Sequence, residues 1–489
     1  MNEIQLLTVE NVAAWKDNSN QQTIRFLLSV ENLDYVKEVD VVWTTGSGDW
    51  LSLPARYLGP LGENREYWQA QTSMAGVCGE LGPGGIRFAL RFRCGGQEYW
   101  DNNDGVDYFI PGETGVTIRS AVPLQNLDFE ALLHDHQQIL PIRVAVNPAF
   151  RADQVVVHWS TDHWRQTRQA QCRLEERTRP HGAQIWTACL PVEGAYRLAY
   201  CIAARNGLQQ VWDNNGGKDY RVHRTPLTVL ILNLHCYQED DQDRKLTQIA
   251  KAISDLNIDV VCFQEVAEDW NQGNGDRASN AARIINGRLS RPLHICTDGS
   301  HLGFDRHREG VAILSRYPIL QHHGRYVSDS DDVHNIHARK VLMARLRVPY
   351  MGLVNVFSVH LSWWEDGFPA QFQRLADWAS AEAAEAGGTT LLCGDFNVTP
   401  GSAGYRCVVE GRPYEDQYLA VPTPGLCDEL SRVNDPHWRD YPGTDGRVDY
   451  IFMGKSDALR VTSARTLFTD QDYGRVSDHC GYLMTFEPR

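Results

Sequence analysis

The chain has 489 residues, too many for one hydrophobic core, and its 42% hydrophobic and 22% charged residues are typical of a globular protein with about three domains. No run reaches the roughly 20 apolar residues of a membrane span, and the first residues lack the basic and apolar regions of a signal peptide. We therefore expect a cytoplasmic protein with no membrane partner. The net charge is −15, and residues 226–489 carry 26 Lys and Arg against 36 Asp and Glu, a balance of −10. This balance disfavours nucleic acid as a partner, because nonspecific nucleic-acid binding depends on a basic surface.

The 12 cysteines include no CxxC pair and no Cys and His spacing typical of zinc sites. Several lie in apolar runs, which favours buried free thiols in a reducing compartment. A bridge between Cys78 and Cys94, or between Cys189 and Cys201, is the alternative that the sequence leaves open.

The N-terminal half contains an internal repeat. WDNNDGVDYFI at 100–110 recurs as WDNNGGKDYRV at 212–222, and VVWTTGSGDW at 41–50 matches VVVHWSTDHW at 155–164. Both copies consist of short runs of Val, Ile, Tyr and Phe between Gly, Asn, Asp and Pro turns, a pattern typical of β-sandwiches. We therefore predict two all-β, immunoglobulin-like sandwich modules at 1–113 and 114–225.

The C-terminal block, 226–489, has a different pattern. Apolar runs typical of buried strands, such as TVLILNL and VVCFQEV, alternate with helical segments such as RKLTQIAKAISDL and FQRLADWASAEAAEA. Strands that alternate with helices predict a layered α/β domain.

Polar residues stand at or near the ends of these apolar runs in six places. Charged groups beside buried strands are costly unless they are paired or bind a metal, so six such signatures predict a catalytic site. The signatures are Asn233 in LILNLH, Glu265 in VVCFQEV, Glu309 in REGVAILS, His360 in FSVHLS, Asp395 and Asn397 in LLCGDFNVTP, and Asp449 in RVDYIFM together with Asp478 and His479 in VSDHC.

Hydrolysis of a phosphate ester requires a bound cation and an activated water. Mg²⁺ and Mn²⁺ prefer carboxylate, amide and water oxygens, which Glu265 can supply with help from Asn233 and Asp478. Asp395 can act as the base that deprotonates the water.

Charge on the phosphate oxygens requires fixed hydrogen-bond donors, which His360, His479 and Asn397 can supply. Each histidine needs a carboxylate to orient it, and Glu309 and Asp449 are available for His360 and His479, respectively.

Together these motifs resemble the endonuclease/exonuclease/phosphatase superfamily, also called the deoxyribonuclease I-like fold. The resemblance covers residues 226–489, and GDFN with SDH is its most specific part. It implies a four-layered α/β sandwich and a Mg²⁺- or Mn²⁺-dependent phosphoric ester hydrolase. The implied roles are metal binding for Glu265, Asn233 and Asp478, base and phosphate contact for Asp395 and Asn397, carboxylate–histidine pairs for Asp449–His479 and Glu309–His360, and a phosphate contact for Arg339.

The two N-terminal modules resemble α-glucan-binding modules, which carry a WDNN-x-G-x-(N/D)Y signature. Trp and Tyr offer flat apolar faces to a sugar, and Asn offers both a donor and an acceptor to its hydroxyls. The alternative is that WDNN only builds a turn, that one Trp of each module fills the core, or that the modules serve packing or dimerisation. The candidate glucan contacts are Trp43, Trp50, Trp100, Asn102, Asn103, Tyr108, Trp159, Trp164, Trp212, Asn214, Asn215 and Tyr220.

The combination of glucan-type modules with an acidic catalytic domain resembles the bacterial maltose 6'-phosphate phosphatases. We therefore expect a phosphomonoesterase that acts on a phosphorylated sugar, with α-glucan as a second candidate partner. Trp363 and Trp364, just after His360, are candidates for stacking on the sugar ring, or else they pack as an ordinary loop. The alternatives are a metal-dependent endonuclease or phosphodiesterase, a sphingomyelinase, which would be secreted or membrane-attached, and a glucan-associated scaffold without activity. The oligomeric state stays open.

Overall fold

The chain separates into two units, Met1–Thr225 and Pro226–Arg489, in a computed structural model. The described residues are all those of the chain except 1–2, 17–18, 46–48, 63, 76–84, 111–114, 120–121, 176–181, 304–305, 413 and 423–445. No helix in the described residues is both long and apolar enough to cross a membrane.

The first sandwich forms because its strands alternate apolar and polar residues, so that one face of each sheet is buried. Its sheets have the orders β10-β1-β2-β6-β5 and β4-β3-β7-β8, with β9 also paired to β7. Phe26, Val41, Phe88 and Phe92 lie in the core between them. The strands are β1 (Ile4–Lys16), β2 (Ser19–Glu31), β3 (Glu38–Thr44), β4 (Leu51–Pro54), β5 (Arg56–Leu61), β6 (Arg65–Ala75), β7 (Ile86–Cys94), β8 (Gln97–Asp101), β9 (Tyr108–Ile110) and β10 (Gly115–Ile118).

The second sandwich repeats this pairing. Its sheets have the orders β11-β12-β16-β15 and β14-β13-β17-β18, with β19 also paired to β17. Val144, Val157, Leu198 and Ile202 belong to its core. The strands are β11 (Leu124–Asn126), β12 (Ile139–Val146), β13 (Gln154–Ser160), β14 (Arg168–Gln171), β15 (Arg173–Leu174), β16 (Gln184–Pro191), β17 (Arg197–Arg205), β18 (Gln210–Asp213) and β19 (Tyr220–His223), with a single 3₁₀ turn at Pro148–Phe150.

The predicted border between the two modules needs a correction. Residues 113 and 114 lie outside the described residues, but β10, which the prediction placed in the second module, pairs with β1 of the first. The pairing has a simple physical reason. One side of β1 lies at the edge of the sheet, and Gly115–Ile118 supplies the backbone hydrogen-bond partners that β1 would otherwise lack there. The N–H of Ala183 also donates to the carbonyl of Val116 (2.7 Å), so this short strand contacts both sandwiches.

The second unit consists of two six-stranded sheets. Their orders are β22-β23-β21-β20-β31-β30 and β24-β25-β26-β27-β29-β28. The strands are β20 (Leu227–Asn233), β21 (Val260–Asp269), β22 (His294–Gly303), β23 (His307–Ser315), β24 (Ile319–Tyr326), β25 (Lys340–Val348), β26 (Gly352–His360), β27 (Thr389–Asp395), β28 (Tyr414–Asp416), β29 (Asp449–Gly454), β30 (Leu459–Leu467) and β31 (Gly481–Pro488). The helices are α1 (Gln242–Asp255), α2 (Ala281–Gly287), α3 (Phe368–Ala386) and α4 (Ala403–Val409), with 3₁₀ turns at Asn271–Gly273 and Trp364–Asp366.

The central strands are apolar on both faces because each sheet lies between the other sheet and a helical layer. In β20, Val229 and Ile231 face the core between the sheets, whereas Leu230 and Leu232 belong to the core under α1 and α2. The helices α3 and α4 cover the second sheet in the same way. The arrangement is the predicted four-layered α/β sandwich, and the predicted fold class is confirmed.

The cysteines that the structure describes are free thiols. Cys189 and Cys201 are among them, so this alternative bridge does not form. Cys78 lies outside the described residues. Cys262 and Cys393 are buried in the core between the two sheets, as their apolar runs predict.

Candidate active site

The register of the second sheet places three predicted catalytic residues side by side. His360 ends β26, Asp395 ends β27 and Asp449 begins β29, and the pairing aligns His360 with Asp395 and Asp395 with Asp449. Residues directly opposite each other on paired strands point to the same face of a sheet. The three side chains are therefore brought together by strand pairing alone, although 89 residues separate the first from the last.

Glu265 reaches the same region from the first sheet because β21 is irregular there. The pairing of β21 with β23 shifts register between Phe263 and Val266, and Glu265 adopts a left-handed backbone conformation (φ 47°). Such a bulge redirects a side chain, and a non-glycine residue in this conformation is a common sign of a functional position. Gly394 makes room for the two sheets to approach, because a Cβ there would lie 2.2 Å from the carbonyl oxygen of Val359 and 2.6 Å from the amide of Gln264.

Asp395 lies at the centre of the site. Its Oδ2 accepts a hydrogen bond from Nδ2 of Asn233 (3.1 Å) and lies 3.9 Å from Nε2 of both His360 and His479. Its Oδ1 accepts the backbone N–H of Asn397 (2.9 Å). Burial, and then the nearby Asp449, raise the pKa of Asp395 to about 7. A carboxylate with a pKa near neutrality suits the role of a general base.

His479 forms a tight pair with Asp449. Its Nδ1 lies 2.7 Å from Oδ2 of Asp449, and both residues are buried. Burial alone would lower the pKa of His479, but the carboxylate of Asp449 outweighs it and raises this pKa well above the ordinary value. The ring is therefore a cation whose Nε2–H points into the site. This is the predicted carboxylate–histidine geometry.

The second predicted pair, Glu309 with His360, does not form. The Oε1 of Glu309 lies 3.4 Å from Nε2 of His301, whereas His360 faces Glu265 at 4.0 Å and Asp395 at 3.9 Å. The reason is strand pairing, because β22 aligns His301 with Glu309 on β23. The sequence offered no periodicity or motif that marks His301, so this residue was missed.

The pKa values of this group differ widely. Burial, followed by the proximity of Glu265, raises the pKa of Glu309 to about 8. Burial, followed by Arg339, lowers the pKa of His301 to about 4 and that of His360 well below its ordinary value. At neutral pH both histidines are therefore neutral, in contrast to the cationic His479.

Three clusters in the described residues have donor atoms close enough to share a cation: Glu265, His360 and Asp395; Asp395, Asp449 and His479; and His235, Glu239 and Asp478. Of the three predicted metal ligands, Glu265 belongs to the first cluster and Asp478 to the third, whereas Asn233 belongs to none of them. Asn233 uses its Nδ2 to donate to Glu265 (2.9 Å) and Asp395, and its Oδ1 accepts the backbone N–H of His235. It therefore joins two carboxylates.

The first of these clusters fits a hard divalent cation best. Glu265 and Asp395 are carboxylates with a neutral imidazole beside them, and oxygen ligands of this kind suit Mg²⁺ or Mn²⁺. Glu265 is partly exposed to the cleft, so a cation there can also contact a substrate. The Oδ1 of Asp478 instead lies 3.6 Å from Nδ1 of His235 and 3.9 Å from Nε2 of His479.

A cleft of about 590 Å³ opens above these groups. Asn397 lines it, anchored by a hydrogen bond from its Nδ2 to the carbonyl of Leu361 (2.8 Å) and held in a left-handed conformation (φ 50°). Arg339 lines it as well. Its Nε is buried without a hydrogen-bond acceptor, and it makes no ion pair with any residue that the structure describes. An unpaired guanidinium in a cleft is a suitable ligand for a phosphate group.

The two tryptophans that follow His360 have different environments. Trp363 lines the cleft. Trp364 is not part of its wall and instead packs near Phe368 of α3, with ring centroids 6.1 Å apart. The reason is the 3₁₀ turn at Trp364–Asp366, which turns the second ring towards the helix. Only Trp363 is therefore placed to contact a substrate.

In both modules, the WDNN motif builds a turn. Asn102 accepts the N–H of Gly105 (3.0 Å), Asn103 donates to the carbonyl of Asp107 (3.2 Å), and the hydroxyl of Tyr108 donates to Asp101 (2.9 Å). The second copy repeats these bonds with Asn214, Asn215 and Tyr220. The alternative of turn chemistry thus accounts for the asparagine and tyrosine side chains.

The second copy of this turn is covered by the first module. Asn215 and Tyr220 are buried, with Oδ1 of Asn215 accepting the N–H of Gly62 (3.3 Å) and the hydroxyl of Tyr220 lying 2.9 Å from that of Tyr67. Gly62 must be small here, because a Cβ would lie 2.6 Å from Cα of Gly216. Asn215 and Tyr220 therefore hold the two sandwiches together and are not free to bind a glucan.

The tryptophans that were candidates for glucan contact differ in how exposed their side chains are. Trp43 and Trp159 are only 9% and 3% exposed, and they fill the two cores, as the alternative predicted. Trp50, Trp100 and Trp212 are 48%, 43% and 49% exposed, so their rings are available. Trp164 is half-buried, with its Nε1 donating to Asp219 (3.0 Å).

Comparison with known proteins agrees with this geometry. Residues 230–479 match the model of the endonuclease/exonuclease/phosphatase family, and residues 3–111 match the carbohydrate/starch-binding module of family 21. The first match spans just over half of the chain, so the chain belongs to the endonuclease/exonuclease/phosphatase family. It is a hydrolase of the phosphoesterase type, with a starch-binding module at its N-terminal side.

Individual relatives match one part of the chain or the other. "Uncharacterized protein YbhP" of Escherichia coli K12 is 26% identical over 263 residues, which are 51% of this chain and 92% of that protein. Glucoamylase 1 of Rhizopus oryzae is 29% identical over 98 residues, 19% of this chain and 15% of that protein. An endonuclease/exonuclease/phosphatase family protein from Leptotrichia buccalis C-1013-b aligns with 53% of this chain and 99% of its own, at 24% identity and a TM-score of 0.47.

We expect Asp395→Asn to lower kcat for phosphate-ester hydrolysis by at least about 10²-fold, because an amide cannot accept the proton of the attacking water. Burial already disfavours the ionised carboxylate, so the neutral amide should not lower the Tm measured in chelator. Steady-state kinetics and thermal unfolding check both expectations. A variant with near-normal kcat would show that Asp395 is not the base.

Proposed function

We propose that this protein is a divalent-metal-dependent phosphomonoesterase that releases phosphate from a phosphorylated sugar, with maltose 6'-phosphate or a related α-glucoside phosphate as the preferred substrate. The observation that carries this proposal is Arg339, an unpaired guanidinium that lines the same cleft as Asp395. With the cationic His479, it supplies two positive charges for a phosphate dianion.

In the proposed reaction, the phosphate group lies between Arg339, His479 and Asn397. Asp395 accepts a proton from a water molecule, and the water oxygen then bonds to phosphorus as the bond from phosphorus to the sugar oxygen breaks. The departing sugar oxygen takes up a proton from solvent, which gives the free sugar and phosphate. The Nε2–H of His479 and the neutral His360 donate to the phosphate oxygens as charge develops on them. The space of about 3.9 Å between Asp395 and each of these two rings suits a bridging oxygen atom.

A divalent cation held by the carboxylate of Glu265, beside Asp395, would supply Lewis-acid polarisation of the phosphate. The acidic side chains of the site favour a bound cation. Burial, and then repulsion from Glu265, raise the pKa of Glu309, and a cation beside Glu265 relieves this repulsion.

Two features support a sugar as the leaving group. Trp363 lines the cleft and offers a flat apolar face, on which the nonpolar face of a pyranose ring can stack. The first module matches a starch-binding family, which supports α-glucan chemistry as the source of the substrate. The balance of −10 in residues 226–489 disfavours a polynucleotide, since no excess of cations is available to neutralise many phosphates.

The test of this function is phosphate release from maltose 6'-phosphate and glucose 6-phosphate with Mg²⁺ or Mn²⁺, run beside plasmid nicking by the same preparation. We expect selective release from the disaccharide, no nicking, and loss of activity in chelator that either metal restores. Nicking without sugar-phosphate turnover would support the endonuclease alternative. No turnover of any ester with metal present would support a scaffold without activity.

We expect Trp363→Ala to lower kcat/KM for maltose 6'-phosphate by about tenfold, because a stacked aromatic face contributes on the order of 1 kcal/mol beyond ordinary burial. Trp364→Ala is the matched control, since this ring lies outside the cleft wall and should leave kcat/KM unchanged. Equal effects of the two substitutions, measured by phosphate release, would show that the loop acts only through packing.

The first module is proposed to bind α-glucan through the exposed Trp50 and Trp100. The indole of Trp100 is fixed by a hydrogen bond from its Nε1 to Glu98 (2.8 Å) and lies beneath Arg91, whose guanidinium carbon is 5.8 Å from the ring centroid. A fixed and half-exposed ring suits stacking on a sugar.

We expect the protein to be retarded on an amylose column, and Trp100→Ala to reduce this retardation at unchanged Tm. The matched control is Trp212→Ala, the equivalent and similarly exposed ring of the second module, which should leave the retardation unchanged because the residues that match the starch-binding family, 3–111, belong to the first module. If both variants are retarded on the column as strongly as the wild-type protein, the exposed ring of Trp100 does not bind glucan.

A further inference from the structure

A second cavity of about 410 Å³ lies apart from the catalytic cleft. It opens where β22 and β24, the edge strands of the two sheets in the second unit, meet α2 and the segment 271–280. None of the described residues lines both this cavity and the cleft. We call it the Arg283 cavity, after the side chain on which its chemistry depends.

The Arg283 cavity is cationic within an acidic unit. Three arginines line it, Arg277, Arg283 and Arg308, against two carboxylates. Both carboxylates already have partners: Glu268 accepts from Asn280 (3.0 Å) and pairs with Arg308 (3.4 Å), and Asp298 pairs with Lys340 at 2.8 Å outside the cavity wall. Two arginines are therefore left without a counter-ion.

Arg277 and Arg283 make no ion pair with any residue that the structure describes. The Nε of Arg283 is buried without an acceptor, and the only hydrogen bond of this guanidinium to a described residue is a long one from Nη2 to Oγ1 of Thr297 (3.5 Å). Burial, followed by repulsion from Arg277, lowers the pKa of Arg283. A partly buried guanidinium beside a second cation is stabilised when an anion binds between them.

Two glycines leave space for the third arginine, Arg308. A Cβ at Gly299 would lie 2.2 Å from Nε of Arg308, and a Cβ at Gly275 would lie 2.2 Å from Oε1 of Glu268 and 3.2 Å from Nη1 of Arg308. Arg308 thus lies directly across the bare backbone of β22. Its guanidinium also pairs with Glu268 (3.4 Å) and is therefore restrained before any ligand arrives, which reduces the entropy that binding must overcome.

We propose that the Arg283 cavity binds a phosphate-class oxyanion, either inorganic phosphate or the phosphate group of a small phosphorylated molecule, at a site separate from the cleft. Three guanidinium groups and the amide of Asn274 offer donors to the space, beside two carboxylates that already have partners. A tetrahedral oxyanion has only acceptors and matches these donors, and the volume leaves room for a small organic group beside it.

The test uses the full-length protein in chelator, with Arg339→Gln in the background to weaken phosphate binding in the cleft. Inorganic phosphate and glucose 6-phosphate are titrated by calorimetry. We expect one binding site, and we expect Arg283→Gln and Arg277→Gln each to weaken it at least tenfold, as loss of a charge-assisted hydrogen bond does. Arg291→Gln, an exposed arginine outside the cavity, is the matched control and should leave Kd unchanged.

The outcomes separate the possibilities. Tighter binding of glucose 6-phosphate than of inorganic phosphate identifies a phosphorylated metabolite as the ligand class, and equal binding identifies phosphate itself. Arg277 is exposed, so Arg277→Gln should keep the wild-type Tm and reports on the site even if Arg283→Gln unfolds. The proposal is overturned if neither anion binds, or if Arg277→Gln and Arg291→Gln have the same Kd as their parent.

Discussion

The burial of the Asp395 carboxylate is the constraint on which the rest of the catalytic unit depends. A buried charge is expensive unless donors or cations surround it, and three neighbours of Asp395 provide one: the amide of Asn233, the backbone N–H of Asn397 and the imidazolium of His479. These neighbours come from both sheets. The core between the sheets therefore has to be complete before the carboxylate is stabilised.

The two sheets position the residues of the site in two ways. Regular pairing aligns His360, Asp395 and Asp449 without any special loop, because the register of three strands fixes their positions. Irregular backbone positions the other residues. Glu265 and Asn397 both have left-handed conformations, and Gly394 permits the close approach of β26. Strain of this kind is tolerated where a rigid scaffold surrounds it.

The N-terminal unit shows how one motif can acquire two roles. Both WDNN turns use the same internal hydrogen bonds, so the turn itself is a local property of the sequence. In the second copy, the same turn faces Gly62 and Tyr67 and becomes part of a buried contact between sandwiches. The hydroxyl of Tyr220 forms hydrogen bonds both with Asp213 of its own turn and with Tyr67 across the contact. The two copies thus differ in exposure rather than in conformation.

The sequence by itself determined the two sandwiches, the layered α/β unit and most members of the site, because apolar periodicity and polar strand ends are local features that strand pairing preserves. It could not determine the partner of Glu309, since His301 is brought to it by the pairing of β22 with β23. It could not separate Trp363 from Trp364, or Trp100 from Trp43, because exposure depends on which surface covers each ring. The Arg283 cavity is also a tertiary feature: its arginines come from a loop, a helix and a strand, and Arg277 and Arg283 make no ion pair with any described residue.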